Sequence, residues 1–171
     1  PLLLPRSTTV HLAQLFVPPA PADWLGTDEL GRSIAWRVLA GAAVSCGIGV
    51  VVVALSLVIG TAYGVVCAYA GGAVDAVGTR IIDVFMAFPG ILLAIGLAGM
   101  LGPGAGNVLI ALCAVGWVGF ARLARAQTLA IRSRDHVLVG QALGSSPAYI
   151  LLRHVLPLTV APLIVEATFA L

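Results

Sequence analysis

Residues 133–157 (SRDHVLVGQALGSSPAYILLRHVLP) combine ionisable, apolar and turn-forming residues at spacings that suit docking rather than bond breaking. From about Arg134 to Leu143 the sequence predicts a helix. Gly144 then falls where a left-handed residue closes a helix end. Ser145 or Ser146 can cap a second helix, with Pro147 at its first position. Pro157 is expected to end that helix. Both halves carry apolar residues, Val137, Leu138 and Leu143 on one and Ile150, Leu151 and Val155 on the other. An apolar surface on a structured loop needs a cover. Two acceptors would serve, a partner protein or the lipid surface.

Few other residues could do chemistry. All nine basic residues are Arg. Without Lys there is no Walker A phosphate loop and no Schiff-base nucleophile. Cys46, Cys67 and Cys113 lie in long apolar runs without a CxxC pair, and read as small buried hydrophobes. His11, His136 and His154 do not cluster in sequence, so no metal site is expected. No Ser-His-Asp or paired-carboxylate motif falls on a plausible element, and no cofactor is expected. Glu166 sits in an apolar run. A carboxylate at mid-span costs about 2.5–3.5 kcal/mol on insertion scales, so Glu166 is expected to face a bundle or a wet cavity. Pro89 cannot donate to the carbonyl of Phe85, which predicts a bend. Arg122, Arg125 and Arg132 fall within roughly 80° of one another on a helix. That basic face suits lipid phosphates or a partner. Arg80 and Asp83 are spaced i, i+3 as a structural pair, with Asp75 nearby.

These residues must be held by membrane-spanning elements. Hydrophobic residues make up 60 % of the 171 and charged residues 9 %, against about 25 % charged in an ordinary soluble domain. The mean hydropathy is +1.09. The net charge of +2 gives no reason to expect nucleic acid. Residues 38–74 and 84–121 contain no Asp, Glu, Lys or Arg. A span needs about 20 apolar residues, and the Gly- and Pro-rich turn at 101–107 divides the second stretch. Spans are therefore expected at about 42–69, 81–100, 108–131 and from 158 onward. Continuous apolar runs make them helices rather than barrel strands. Gly41, Gly47, Gly49, Gly60 and Gly64 suit close helix packing. The Arg-rich segment 132–157 is expected to be cytoplasmic by the positive-inside rule, with the 70–83 turn on the same side. Residues 1–32 then form an extracytoplasmic segment and 33–171 a transmembrane domain. Residues 33–41 read as a short interfacial helix with Trp36 at the headgroup level, and 1–5 as the tail of an earlier span. Starting at Pro1 and ending in an apolar run, the chain reads as truncated at both ends.

Several segments resemble the membrane subunits of binding-protein-dependent ABC importers, in particular the second permease subunit of dipeptide, oligopeptide and nickel importers. They are Leu25-Gly-Thr-Asp-Glu-Leu-Gly-Arg32, Ala87-Phe-Pro89, Ala142-Leu-Gly-Ser-Ser146 and Arg153-His-Val-Leu-Pro157. The family's loop motif runs Glu-Ala-Ala, three residues, Gly, nine residues, a hydrophobic residue or His, one residue, Leu-Pro. Gly144, His154, Leu156 and Pro157 fit that spacing. Leu138, Val139 and Gly140 stand at the Glu-Ala-Ala positions, which removes a charge and places a weak helix former in the first helix. Ser33 stands where the family usually has Asp.

The resemblance implies an all-α polytopic helical bundle, the type I ABC importer permease core. It implies an ATPase-coupling loop containing Leu138, Val139, Gly140, Ala142, Leu143, Gly144, Ser145, His154, Leu156 and Pro157. Phe88, Pro89 and Glu166 are candidates for the translocation path. The implied partners are a second permease subunit in a heterodimer, two ATP-binding subunits, an extracytoplasmic solute-binding protein and the lipid bilayer of a bacterial inner membrane. The chain itself is not expected to be an enzyme. A secondary transporter driven by an ion gradient is the alternative, but such proteins tend to show internal repeats and paired intramembrane ionisable residues, and neither is evident in the sequence. In intact cells, cysteines introduced in the 101–107 turn should react with an impermeant thiol reagent from outside, whereas those in 133–146 should not; the reverse pattern overturns the orientation.

Overall fold

A computed structural model describes residues 8–11, 14–21 and 23–171. The expected tail of an earlier span, 1–5, lies outside these residues. Helices dominate: α1 (Ile34–Ala70), α2 (Gly72–Met86), α3 (Gly90–Leu101), α4 (Ala105–Arg132), α5 (Asp135–Ala142), α6 (Pro147–Ile150) and α7 (Leu156–Ala170), with a π-helical segment, Leu151–Val155, between the last two. The chain divides into two compact units, Pro1–Gly49 and Val50–Leu171, and α1 runs through the division.

The first unit is organised by Asp28, within the Leu25–Arg32 motif. Its Oδ1 accepts from the backbone N–H groups of Leu30 and Arg32, both at 2.9 Å, and its Oδ2 from Arg32 Nε at 2.9 Å. The same oxygen pairs with the guanidinium of Arg37. Partial burial pushes the Asp28 carboxyl up, but the Arg32 hydrogen bonds outweigh it and hold the group well below the usual carboxylate range. Thr27 accepts from Val17 N at 2.9 Å and donates to the Gln14 carbonyl, tying the preceding segment to the motif. Ile34 N donates to Gly26 O at 3.0 Å where α1 begins.

In the second unit α4 is the shared wall of three cores. Val65 of α1, Phe120 and Ala124 of α4 and Leu163 of α7 form one. Ile82 of α2 with Val118 and Ala121 of α4 form another, flanked by Tyr63, Phe85 and Trp117. Ile131, Val137, Ile150 and Val155 form the third. Helix α1 meets α4 through glycines. A Cβ on Gly64 would collide with the Ala121 carbonyl and stand 2.9 Å from Arg125 N, and one on Gly60 would collide with the Trp117 carbonyl. Small residues at a membrane-helix contact let backbones approach closely, where apolar side chains gain little from leaving lipid.

Three expected boundaries change. The interfacial helix 33–41 and the span 42–69 are one helix, because a single Gly amid Ala, Leu and Val costs only about 1 kcal/mol and no proline intervenes. The second span does not start at Ile81. Helix α2 begins at Gly72, and the turn contracts to Gly71 and Gly72, both with positive φ. Pro89 does more than bend the expected 81–100 span. It ends one helix and precedes the next, and the two axes make an angle of 80°. With no N–H and ψ of 117°, Pro89 cannot continue the ladder, so the chain closes α2 through Ala87 N to Asp83 O at 2.9 Å and restarts at Gly90. Cys67 is buried as expected, whereas Cys46 is exposed.

Two glycines should respond oppositely. Gly64→Val should destabilise the protein by about 1–3 kcal/mol through overpacking against α4. A Cβ on Gly140 would meet Ile150 carbons at an ordinary 3.8–4.0 Å, so Gly140→Ala should stabilise by up to about 1 kcal/mol. Thermal unfolding in detergent reads both shifts.

Candidate functional site

The loop that follows α4 is built from local capping chemistry. Arg134 N donates to Ile131 O at 3.0 Å, which turns the chain out of α4 into α5. At the end of α5, Gly144 adopts φ of +79°. Ser145 N then reaches Gly140 O, and Gly144 N reaches Gln141 O, each at 3.0 Å. This pair of bonds is the Schellman closure, which satisfies carbonyls that the helix end leaves orphaned. Ser146 caps α6, accepting from Tyr149 N at 3.3 Å, and Pro147 takes the first helical position. Both predicted helices and the turn between them are present.

The second helix does not stop at Pro157. It passes through the π-helical segment and continues as α7. Leu156 N reaches back five residues to Leu151 O. That wider turn relaxes the i→i−4 ladder where the Pro157 ring would otherwise clash with the Arg153 carbonyl. The fourth span therefore joins the loop as one helical element beginning at Pro147.

Burial separates the loop's faces. Val137, Ile150 and Val155 are at most 1 % exposed and pack on Ile131. On the outside stand Leu138, Val139, Leu143, Tyr149 and Leu152, with Leu143 at 81 % exposure. Ala142, Gly144 and Pro157 are also exposed, and Gly140, Ser145, His154 and Leu156 are half-buried. His154 lies beside Tyr149 and His136, at ring-centroid distances of 5.8 and 6.1 Å. The fold thus brings together two histidines 18 residues apart in sequence.

Charged residues tie this region to the spans. Arg125 holds Asp75 in a two-bond fork, Nε to Oδ1 at 2.6 Å and Nη2 to Oδ2 at 2.7 Å. This joins α4 to α2 across 50 residues of sequence. Arg132 Nη1 donates to the Ala68 carbonyl at 2.7 Å. It caps the C-terminal end of α1, where the helix dipole favours a cation. Of the three Arg residues expected to share a basic face, only Arg122 is exposed, and the other two bind neighbouring helices. The spacing of Arg125 gave no sign of its distant partner.

The residues considered for a translocation path are not joined here. Phe88 and Pro89 are exposed at the break between α2 and α3, and Glu166 is exposed on α7. No hydrogen bond or ion pair connects them among the described residues. Glu166 therefore does not face the packed core of this chain.

A polytopic helical membrane protein with a capped helix–glycine–helix loop is the class these features define. Residues 56–171 match the family described as the binding-protein-dependent transport system inner membrane component, and the chain belongs to that family. It is 38 % identical over 169 residues to the dipeptide transport system permease protein DppC of Bacillus subtilis, covering 98 % of this chain and 53 % of that protein. It is 35 % identical over 161 residues to the oligopeptide transport system permease protein OppC of the same species, covering 94 % and 53 %. Over 147 residues it is 39 % identical to the glutathione transport system permease protein GsiD of Pectobacterium atrosepticum, covering 86 % and 49 %. The chain spans about half the length of these relatives.

The Asp75–Arg125 fork should carry measurable stability. Asp75→Asn or Arg125→Gln leaves the other charge partly buried without its partner and should cost roughly 3 kcal/mol. The exchanged pair, Asp75→Arg with Arg125→Asp, should recover part of the loss. Unfolding midpoints test this, together with the double variant Asp75→Asn/Arg125→Gln, whose loss should fall short of the sum of the two single losses; additive losses would show that the pair is not coupled.

Proposed function

We propose that this chain is part of a transmembrane subunit of an ABC importer for peptides or similar small solutes. In this reading it forms half of the translocation path with a second permease subunit in a bacterial inner membrane. An extracytoplasmic solute-binding protein delivers the solute, and two ATP-binding subunits supply the energy. The chain does no chemistry of its own. The names of its relatives support peptides, including glutathione, as the solute class. The motif resemblance extends the class to nickel chelates.

The observation that carries the coupling role is the loop's division into two faces. Val137, Ile150 and Val155 fasten it to the end of α4, while Leu138, Val139, Leu143 and Tyr149 stand outward. An outward apolar face on a rigid, capped element fits insertion into a groove of a partner protein. Force on that face would pass through the continuous helical segment Pro147–Ala170 into the bilayer. Leu138 and Val139 stand where the family motif has Glu and Ala, so the contact here is more apolar.

Gly144 is the point to test. At φ of +79° a β-branched residue is strongly disfavoured. A Cβ there meets nothing within 4 Å, so the effect of a substitution is conformational and not steric. In the complete transporter, Gly144→Val should leave membrane insertion normal, abolish solute uptake and weaken crosslinking of a cysteine at Ser145 to the ATP-binding subunit. Leu138→Glu should leave uptake unchanged or raise it. Normal uptake and crosslinking in Gly144→Val would sink the coupling role.

A further inference from the structure

The segment just before the Leu25–Arg32 motif and the start of α1 enclose a second feature that the transport reading does not use. A cavity of about 340 Å³ lies between them, and Asp23, Trp24, Ser33, Trp36 and Leu39 are among its lining residues. Two indoles and a carboxylate around one opening are unusual in a chain with only three Trp and few acids. The Trp24 indole Nε1 donates to the Pro21 carbonyl at 3.0 Å, and the residue remains 79 % exposed. The backbone of Asp23 is fixed by reciprocal 3.0 Å hydrogen bonds with Ala20.

Charge balance sets Asp23 apart. Asp28, five residues on, pairs with Arg32 and Arg37. Asp23 forms no ion pair among the described residues. Among the described residues, the cavity therefore keeps a carboxylate without a counter-ion beside two indole side chains. Ser33 contributes a hydroxyl oxygen that is buried and lacks a hydrogen-bond partner among the described residues. Buried polar atoms of this kind require a partner.

We propose that this cavity is a binding site for an alkylammonium group. The carboxylate of Asp23 supplies the charge-assisted hydrogen bond. The faces of Trp24 and Trp36 supply cation–π attraction, which is strongest for Trp. The Ser33 oxygen accepts another N–H. The apolar wall at Leu39 accommodates the carbon chain that bears the amine. Two sources share this chemistry: the ethanolamine headgroup of a phospholipid, and a soluble amine such as the amino terminus of a solute. The charge-free stretch of α1 begins at Val38, one residue before Leu39. This places the cavity at the depth of lipid headgroups and is compatible with either source.

The test uses the full-length chain assembled with its partner subunits in nanodiscs, with fluorotryptophan in this chain alone. Fluorine resonances of positions 24 and 36 are assigned with Trp24→Phe and Trp36→Phe. In phosphatidylglycerol nanodiscs, ethylammonium chloride should shift both resonances saturably, and sodium chloride should not. Asp23→Asn should raise the midpoint by about tenfold or more, and Asp23→Glu should restore much of the response. In nanodiscs containing phosphatidylethanolamine, resonances already at their shifted positions identify the lipid as occupant, whereas an unchanged start and a full ethylammonium titration identify a soluble amine. The proposal fails if neither phosphatidylethanolamine nor ethylammonium moves the resonances, or if Asp23→Asn titrates like the unmodified chain.

Discussion

The contact of α1 with α4 at Gly60 and Gly64 is the constraint on which the second unit depends. Helices in lipid gain little by hiding apolar side chains from one another, so association requires close contact of backbones. The carbonyls of Trp117 and Ala121 occupy the space that side chains at 60 and 64 would need. This seating sets the depth of α4 relative to α1. It also fixes where Tyr63 meets Trp117, edge-on with centroids 4.9 Å apart. With α4 placed, its remaining faces receive α2 and α7, and its last turn carries the loop. Each of the three cores includes α4 residues.

Three charge clusters are paired within the fold. Asp75 and Arg125 satisfy each other between helices, and Arg132 serves the carbonyl end of α1. In the first unit Asp28 gathers Arg32 and Arg37 together with two backbone N–H groups. In each case the charge also fixes a joint: α2 on α4, the end of α1 on α4, and the Leu25–Arg32 motif on the start of α1. Removing water strengthens such pairs and makes an unmatched group costly.

How much was legible in the sequence follows from the range of each interaction. The Gly144 turn, the Ser146 cap and Pro147 were readable because capping chemistry acts within four or five residues. The all-α membrane character was readable from composition and long charge-free runs. The start of α2 was not, because Asp75, Arg80 and Asp83 looked like a polar turn and the neutralising Arg125 lies 50 residues on. The seam between α1 and α4 was visible only as a surplus of glycines, without its partner. Pro157 misled because a proline ordinarily ends a helix, and a single π turn removes that obstacle. The nearness of His136 and His154 depends on how the loop folds back, and no local spacing encodes it.

The π turn at Leu151–Val155 also has a consequence for phase. Relative to an uninterrupted α-helix it acts as a one-residue insertion, which advances everything beyond it by about 100° around the axis. The side that holds Ile150 against the loop core and the side that holds Leu163 against Phe120 are therefore matched by this offset rather than by a common periodicity. The loop half and the bilayer half of one continuous rod can each keep their own buried stripe. Substitutions that tune one stripe need not follow the register of the other, and the length of the 151–155 segment is what holds the two in alignment.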